Sequence, residues 1–282
     1  MARTAITLTV QRKQWLTPHM VRVFLGGPGF AQFEATEDTD AYVKLIFPVA
    51  GAEYPDPFDL QRIRAELPAD AQPTLRTYTV RSVDSGRGEL AIDFVVHGSE
   101  GVAGPWAADA EAGDEIALVG PGSGYRPDPE ASWHLLAADE SGLPALAAAL
   151  EGMPDTARVK AFIEVSGPDD EIELTAPSGA DITWVHRGAS SFEVDDEGAG
   201  DNAPLVAAVR SSEWLDGDPQ VFIHGEAAAV MHNLRKYIRR ERSVSAANAS
   251  ISGYWRRGRT EEGFREWKSD LRREEEAAQP AG

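Results

Sequence analysis

The amino-acid sequence predicts two domains, an antiparallel β-barrel followed by a parallel α/β sheet with C-terminal helices. Three observations predict it. The chain has 282 residues, more than one hydrophobic core usually organises, so two compact units are expected. Up to Tyr125, short segments of alternating apolar residues are punctuated by Gly and Pro clusters and show little helical periodicity. After Tyr125, apolar runs alternate with Ala- and Leu-rich helical stretches, as strands and crossover helices do in a parallel sheet. The expected domains are residues 1–126 and 127–282.

Each element has its own signal. In "AITLTV", strict alternation puts Ile6, Leu8 and Val10 on one face of a strand, and "MVRVFL" and "YVKLIF" repeat the pattern. The clusters "GGPG" and "EYPDPF" separate these strands. "ELAIDFVVHG" sets Ile92, Phe94 and Val96 against Asp93, Val95 and His97, and the barrel is expected to close near "DEIALVGPGSGY". "SWHLLAADESGLPALAAALEGM" reads as a strand, a tight acidic turn and a helix capped by Asp139 or Ser141. "RVKAFIEVSG", "DITWVHRG" and "PQVFIHGE" read as buried strands, with "APLVAAVRSSEWL" and "AAAVMHNLRKYIRRER" as helices between and after them. In the last of these, Val230, Leu234 and Ile238 make an apolar stripe. "VDDEGAGDN" reads as a solvated loop and "REEEAAQPAG" as a frayed terminus.

Composition excludes several classes. With no cysteine, the chain has no disulfide, iron–sulfur cluster, thiolate zinc site or cysteine nucleophile, so redox chemistry falls to a bound organic cofactor. A formal charge of −19 argues against a nucleic-acid partner. No apolar run approaches the ~20 residues of a membrane span. The N-terminal "MARTAITLTVQRK" lacks a signal-peptide core, which places the protein in the cytoplasm as an expectation. The charge is uneven: residues 235–282 carry 12 basic and 8 acidic side chains, against 15 and 38 in the remainder. That local excess suits an anionic ligand. The histidines His19, His134, His186, His224 and His232 show no metal-ligand spacing and read as structural or surface residues. No nucleophile elbow or phosphate-binding Walker loop is present.

The chemistry gathers around "RTYT" at residues 76–79. On a strand, Arg76 and Tyr78 share one face and Thr79 takes the other, so a cofactor lying along the strand meets a cation, a ring and a hydroxyl. A flavin fits that set: Arg76 for a phosphate, Tyr78 for stacking on the isoalloxazine, Thr79 for a hydrogen bond near N5. Downstream, "HGSEGVAGPWA" supplies Gly98, Gly101 and Gly104, which let backbone N–H groups approach a pyrophosphate, with Trp106 at a helix start.

Together with "YVKLIFP", "VGPGSGYRPD", "WHLLAADESGLPALAAALE", "ITWVHRG", "FIHGEAAAVMHNLRKYIRRER" and "SGYWRRG", these segments resemble the siderophore-interacting proteins, FAD-dependent ferric-siderophore reductases of the ferredoxin–NADP reductase superfamily. The resemblance runs over nearly the whole chain. It implies that residues 1–126 bind FAD and that residues 127–282 resemble an NAD(P)H-binding domain. It also implies that Arg76, Tyr78 and Thr79 contact the flavin, with Tyr78 and Thr79 nearest the chemistry. Asp93, Val95, His97 and the turn Gly101, Val102, Ala103 to Trp106 would flank the cofactor. Asp139 and Ser141 would close over it, and Trp255 would be the C-terminal aromatic near the flavin side. Lys44, Arg256 and Arg257 would receive an anionic ferric siderophore, and no resident metal is implied.

One departure from the wider superfamily concerns the donor. Where a dinucleotide site has a glycine-rich loop, this chain has "AADESG", whose carboxylates repel a pyrophosphate. NADH, NADPH and a reduced carrier protein all stay open as electron donor. A general NAD(P)H:flavin or ferric reductase of the same fold and a non-catalytic siderophore-binding protein are the alternatives. The first would turn over free flavin or simple ferric chelates as well as siderophores, and the second would purify colourless.

Overall fold

A computed structural model describes residues 5–55, 58–98, 101–191, 193–259, 263–264, 267–269, 271 and 273. The expected frayed C-terminus lies, apart from Arg273, outside the described residues. Six antiparallel strands close a barrel: β1 (Ile6–Thr17), β2 (Met20–Gly26), β3 (Tyr42–Phe47), β4 (Thr74–Asp84), β5 (Glu89–Val95) and β6 (Glu115–Gly122). Their order around the barrel is β1-β2-β5-β4-β3-β6, with Ile6 opposite Leu118 and Leu8 opposite Ile116 at the closing seam. The alternation that predicts these strands also fills the interior. Leu8, Val21, Leu25, Leu45, Ile92 and Leu118 are fully buried, each worth roughly 1.5–3 kcal/mol of apolar transfer. Two short helices complete this unit, α1 (Leu60–Glu66), capped by Asp59, and α2 (Ala103–Asp109).

The second unit is a five-stranded parallel sheet in the order β11-β10-β7-β8-β9, built from β7 (Trp133–Ala138), β8 (Val159–Val165), β9 (Asp181–His186), β10 (Pro219–Glu226) and β11 (Ala249–Trp255). Central strands of such a sheet are covered on both faces and therefore read as continuous apolar runs. One face of the sheet packs on α4 (Pro204–Ser211) and on the segment after β10, through Val206, Val221, Ile223, Leu234 and Ile238. The other packs on α3 (Leu143–Gly152) through Leu136, Leu143, Leu146 and Phe222, and the same cluster takes in Met20 and Tyr125 from the barrel side. Polar ties join the units as well: Arg81 on β4 pairs with Glu151 on α3, and His19 Nδ1 lies 2.9 Å from Asp170.

Three segments differ from expectation. Residues 228–241 are wound as two π-helical stretches, Ala228–Leu234 and Tyr237–Glu241, with Arg235 N–H bonded to Val230 O and Arg242 N–H to Tyr237 O. The stripe survives this widening, and Val230, Leu234 and Ile238 are fully buried. "ASISGYW" forms edge strand β11, which the sequence analysis does not mark as a strand because its serines break the apolar run. Residues 194–202 are short helical turns whose Val194, Gly198, Ala199 and Gly200 wall a pocket, so this segment is more than a solvated loop.

Candidate functional site

Strand β4 carries the first half of the site. Its register sets Arg76 opposite Leu45 and Tyr78 opposite Val43, both core residues of β3, so Arg76 and Tyr78 lie on the inward side. Tyr78 is half-buried at the barrel wall, its ring 4.5 Å from that of Phe94. Trp106 on α2 lies 5.7 Å from Phe94 and 5.9 Å from Phe47, so Phe94 joins the two aromatic rings singled out in the sequence. Arg76 is half-buried and donates to Leu75 O at 3.0 Å. Thr79 projects to the other side of the strand and is buried under the sheet. Lys44 is exposed on β3 opposite the exposed Thr77.

The turn between β5 and α2 follows. Gly98 (φ +60°) and Gly101 (φ +81°) adopt the left-handed conformation that glycine tolerates, and a Cβ on either would meet nothing within 4 Å. Both glycines therefore border open space, while Ala103 is buried. His97 and Val95 are half-buried ahead of Gly98, and Val102 is exposed. Asp93 is engaged elsewhere: its carboxylate takes a bidentate pair from Arg22, with Nε to Oδ1 at 2.6 Å and an Nη to Oδ2 at 2.8 Å. Ring and cation on one side of β4, a hydroxyl on the other, and two glycines bordering open space after β5 fit a flavin dinucleotide by the chemistry of the donor set.

The carboxyl end of the parallel sheet holds the remaining predicted residues. Asp139 Oδ1 accepts from the Ser141 N–H (2.9 Å), the Ser141 hydroxyl (2.5 Å) and the Gly142 N–H (3.3 Å). Its Oδ2 accepts from the Glu226 N–H and from the Trp255 indole N–H, both at 2.8 Å. Asp139 thus ties the α3 turn to β10 and β11. Glu226 accepts from the N–H groups of Ala228 and Ala229 through Oε2 and from Arg256 through Oε1, at 2.7, 2.9 and 2.7 Å. Arg257 donates to Ser191 O at 3.3 Å. The chain's own carboxylates therefore occupy N–H groups at the start of both helices above this edge, where a dinucleotide fold usually seats its pyrophosphate.

Between them lies a pocket lined by Asp139, Glu164, Arg187, Gly200, Trp255 and Arg257. Arg187 is almost fully buried and pairs with Glu140 and, at 3.2 Å, with Glu164. Burial pushes Glu164 up to about 6 and raises Glu140 as well, although Arg187 opposes both shifts. Among the described residues no group of three or more His, Cys, Asp or Glu is placed to hold a metal ion, and no helix is long and apolar enough to cross a membrane.

Two residues outside the sequence-predicted site, His224 (read from the sequence as structural or surface) and Tyr254, complete the wall between the units. His224 on β10 is buried, with Nδ1 2.8 Å from the Tyr254 hydroxyl and Nε2 2.9 Å from the Ser250 hydroxyl. The Thr79 side chain hydrogen-bonds to the same Tyr254 hydroxyl. Burial lowers His224 to about 3 and raises Tyr254 above its ordinary value, so both are uncharged at neutral pH. Tyr254 adjoins Trp255 in "GYWRRG", but its signal there is weak because neither its strand nor its long-range partner shows in the local pattern.

Comparison with known proteins then places the chain. Residues 9–125 match the siderophore-interacting FAD-binding domain, and residues 131–258 match the siderophore-interacting protein domain. An uncharacterized protein of Mycobacterium tuberculosis is 56% identical over 260 residues, covering 91% of this chain and 92% of its own. Ferric vibriobactin reductase ViuB of Vibrio cholerae is 30% identical over 258 residues, 90% of each chain. The crystal structure of a siderophore utilization protein from T. fusca superposes with a TM-score of 0.76 at 35% identity, covering 91% of this chain and 94% of the other.

Proposed function

The chain belongs to the siderophore-interacting protein family, with that family's FAD-binding domain as its barrel, and from this premise we propose that it is an FAD-dependent reductase of siderophore-bound Fe(III). The observation that carries the reading is the aromatic row of Tyr78, Phe94 and Trp106, with Arg76 on the same face of β4 and Gly98 and Gly101 bordering open space. The similarity to ferric vibriobactin reductase supports it.

Bound FAD supplies the link between two-electron donors and one-electron acceptors. Tyr78 offers a ring face for the isoalloxazine, and Arg76 a guanidinium for a phosphate oxygen. Gly98 and Gly101 leave room for the dinucleotide backbone, and the Thr79 hydroxyl would supply the hydrogen-bonding group for N5. The substrate is ferric iron in a siderophore, whose hard oxygen donors hold Fe(III) more tightly than Fe(II), so reduction frees the metal. Lys44 on the open face of β3, with Arg256 and Arg257, would meet an anionic complex. The electron donor is NADH, NADPH or a reduced carrier protein. The internal engagement of Asp139 and Glu226 means that a nicotinamide pyrophosphate would not sit at the start of α3 in the ordinary way.

Arg76→Ala tests the cofactor site. Loss of a charge-assisted phosphate contact of about 1.5–3 kcal/mol should weaken FAD binding roughly 10- to 150-fold in a fluorescence titration. Wild-type affinity in this variant would remove Arg76 from the site.

A further inference from the structure

The wall between barrel and sheet contains an uninterrupted row of exchangeable groups. Alternation along β11 puts Ser250, Ser252 and Tyr254 on one face of the edge strand, the face toward which β10 turns Phe222 and His224. Ser250 is half-exposed, and its hydroxyl meets His224 Nε2; His224 Nδ1 meets the Tyr254 hydroxyl, which meets Thr79. From this geometry we propose that Ser250, His224, Tyr254 and Thr79 form a proton relay between solvent at the edge of the sheet and the flavin N5 position beside Thr79. The proposal rests on the FAD reading above.

Such a row passes protons only if each member can donate and accept at once. Three are hydroxyls, and the fourth is a neutral imidazole, stacked 3.9 Å from the Phe222 ring and away from solvent. The charged groups facing Tyr254 are Asp40 from the barrel side and Asp139 from the sheet, with Tyr42 nearby. Burial above all, and both carboxylates with it, hold the tyrosine in its protonated, donating form.

The relay closes the balance of the proposed reaction. With FAD bound, passing two electrons to two Fe(III) centres would also require one proton to leave the reduced flavin. Thr79 Oγ1 accepts it while giving its own hydrogen to Tyr254 Oη; Tyr254 gives its hydrogen to His224 Nδ1. His224 Nε2 then releases its hydrogen to Ser250 Oγ, which gives one to water. Every group ends with the number of hydrogens it began with, and the imidazole has exchanged tautomers. Tyr254 and His224 are positioning and relay residues that act through Thr79.

The test uses FAD-loaded protein with 15N-labelled histidine. His224 should stay neutral from pH 5 to 8 and change tautomer between oxidised and reduced protein, a change that Tyr254→Phe abolishes. Mixed anaerobically with a ferric chelate, reduced Tyr254→Phe should reoxidise roughly a hundredfold more slowly, the lower end of what a positioned proton-transfer group contributes. Ser250→Ala, at the half-exposed outer end, should also slow and should lose the wild type's sensitivity to D2O. A structural tie between the units would leave the Ser250→Ala rate and isotope effect unchanged, and either that result or a redox-independent His224 tautomer overturns the relay. A wild type that binds no FAD overturns instead the reading on which the relay rests.

Discussion

His224 is held as a neutral imidazole, and this has a measurable cost in acid. Its native pKa lies near 3, against an ordinary value of 6.5. Below pH 6.5 the unfolded chain takes up a proton that the native chain refuses, so the unfolded state binds more protons and stability falls as pH falls. The full contribution is present above pH 6.5 and is lost progressively toward pH 3. At about 1.4 kcal/mol per pH unit, the wild type should lose about 2 kcal/mol more than His224→Gln between pH 6.5 and 5 in urea unfolding. Equal losses would mean that His224 binds a proton in the fold as readily as in the unfolded chain. At this scale the sequence was partly readable. Arg76, Tyr78, Thr79 and Trp106 stood out because residue type and strand spacing are local signals. Tyr254 and His224 did not, because their meaning lies in contacts between distant strands, Thr79 being 175 residues from Tyr254.

Among the elements, strands β1 to β6 and the central sheet strands follow from alternation and apolar runs, since burial on one or two faces writes itself into the sequence. Edge strand β11 escaped because only one neighbour covers it and serines suffice there. The π-helical segment after β10 escaped as well, since an apolar stripe at four-residue spacing looks alike in α and π windings. What fixes these elements to one another is Asp139, whose two oxygens serve the α3 turn, β10 and β11 together. Asp139→Ala should leave the N–H groups of Glu226 and Trp255 without their acceptor. At roughly 1–3 kcal/mol for each buried orphan, a loss of about 2–6 kcal/mol is expected by urea unfolding. Asp139→Asn, which keeps one acceptor oxygen, should lose less. Equal stability of Asp139→Ala and wild type would remove the carboxylate from this structural role.

At the scale of the whole molecule, the barrel brings a flavin-compatible donor set and the sheet brings a buried hydroxyl–imidazole row, and the two meet at Thr79. The acidic body, at −19, carries its basic residues concentrated after residue 235, which suits a small anionic partner better than a polyanion. The central claim is that electrons pass from flavin to siderophore iron, and anaerobic stopped-flow mixing of photoreduced, FAD-loaded protein with a ferric siderophore and a ferrous trap measures this directly. The account predicts that flavin absorbance returns as the trapped Fe(II) complex appears, at about two Fe(II) per flavin. A flavin that stays reduced while Fe(III) remains in the siderophore would contradict it.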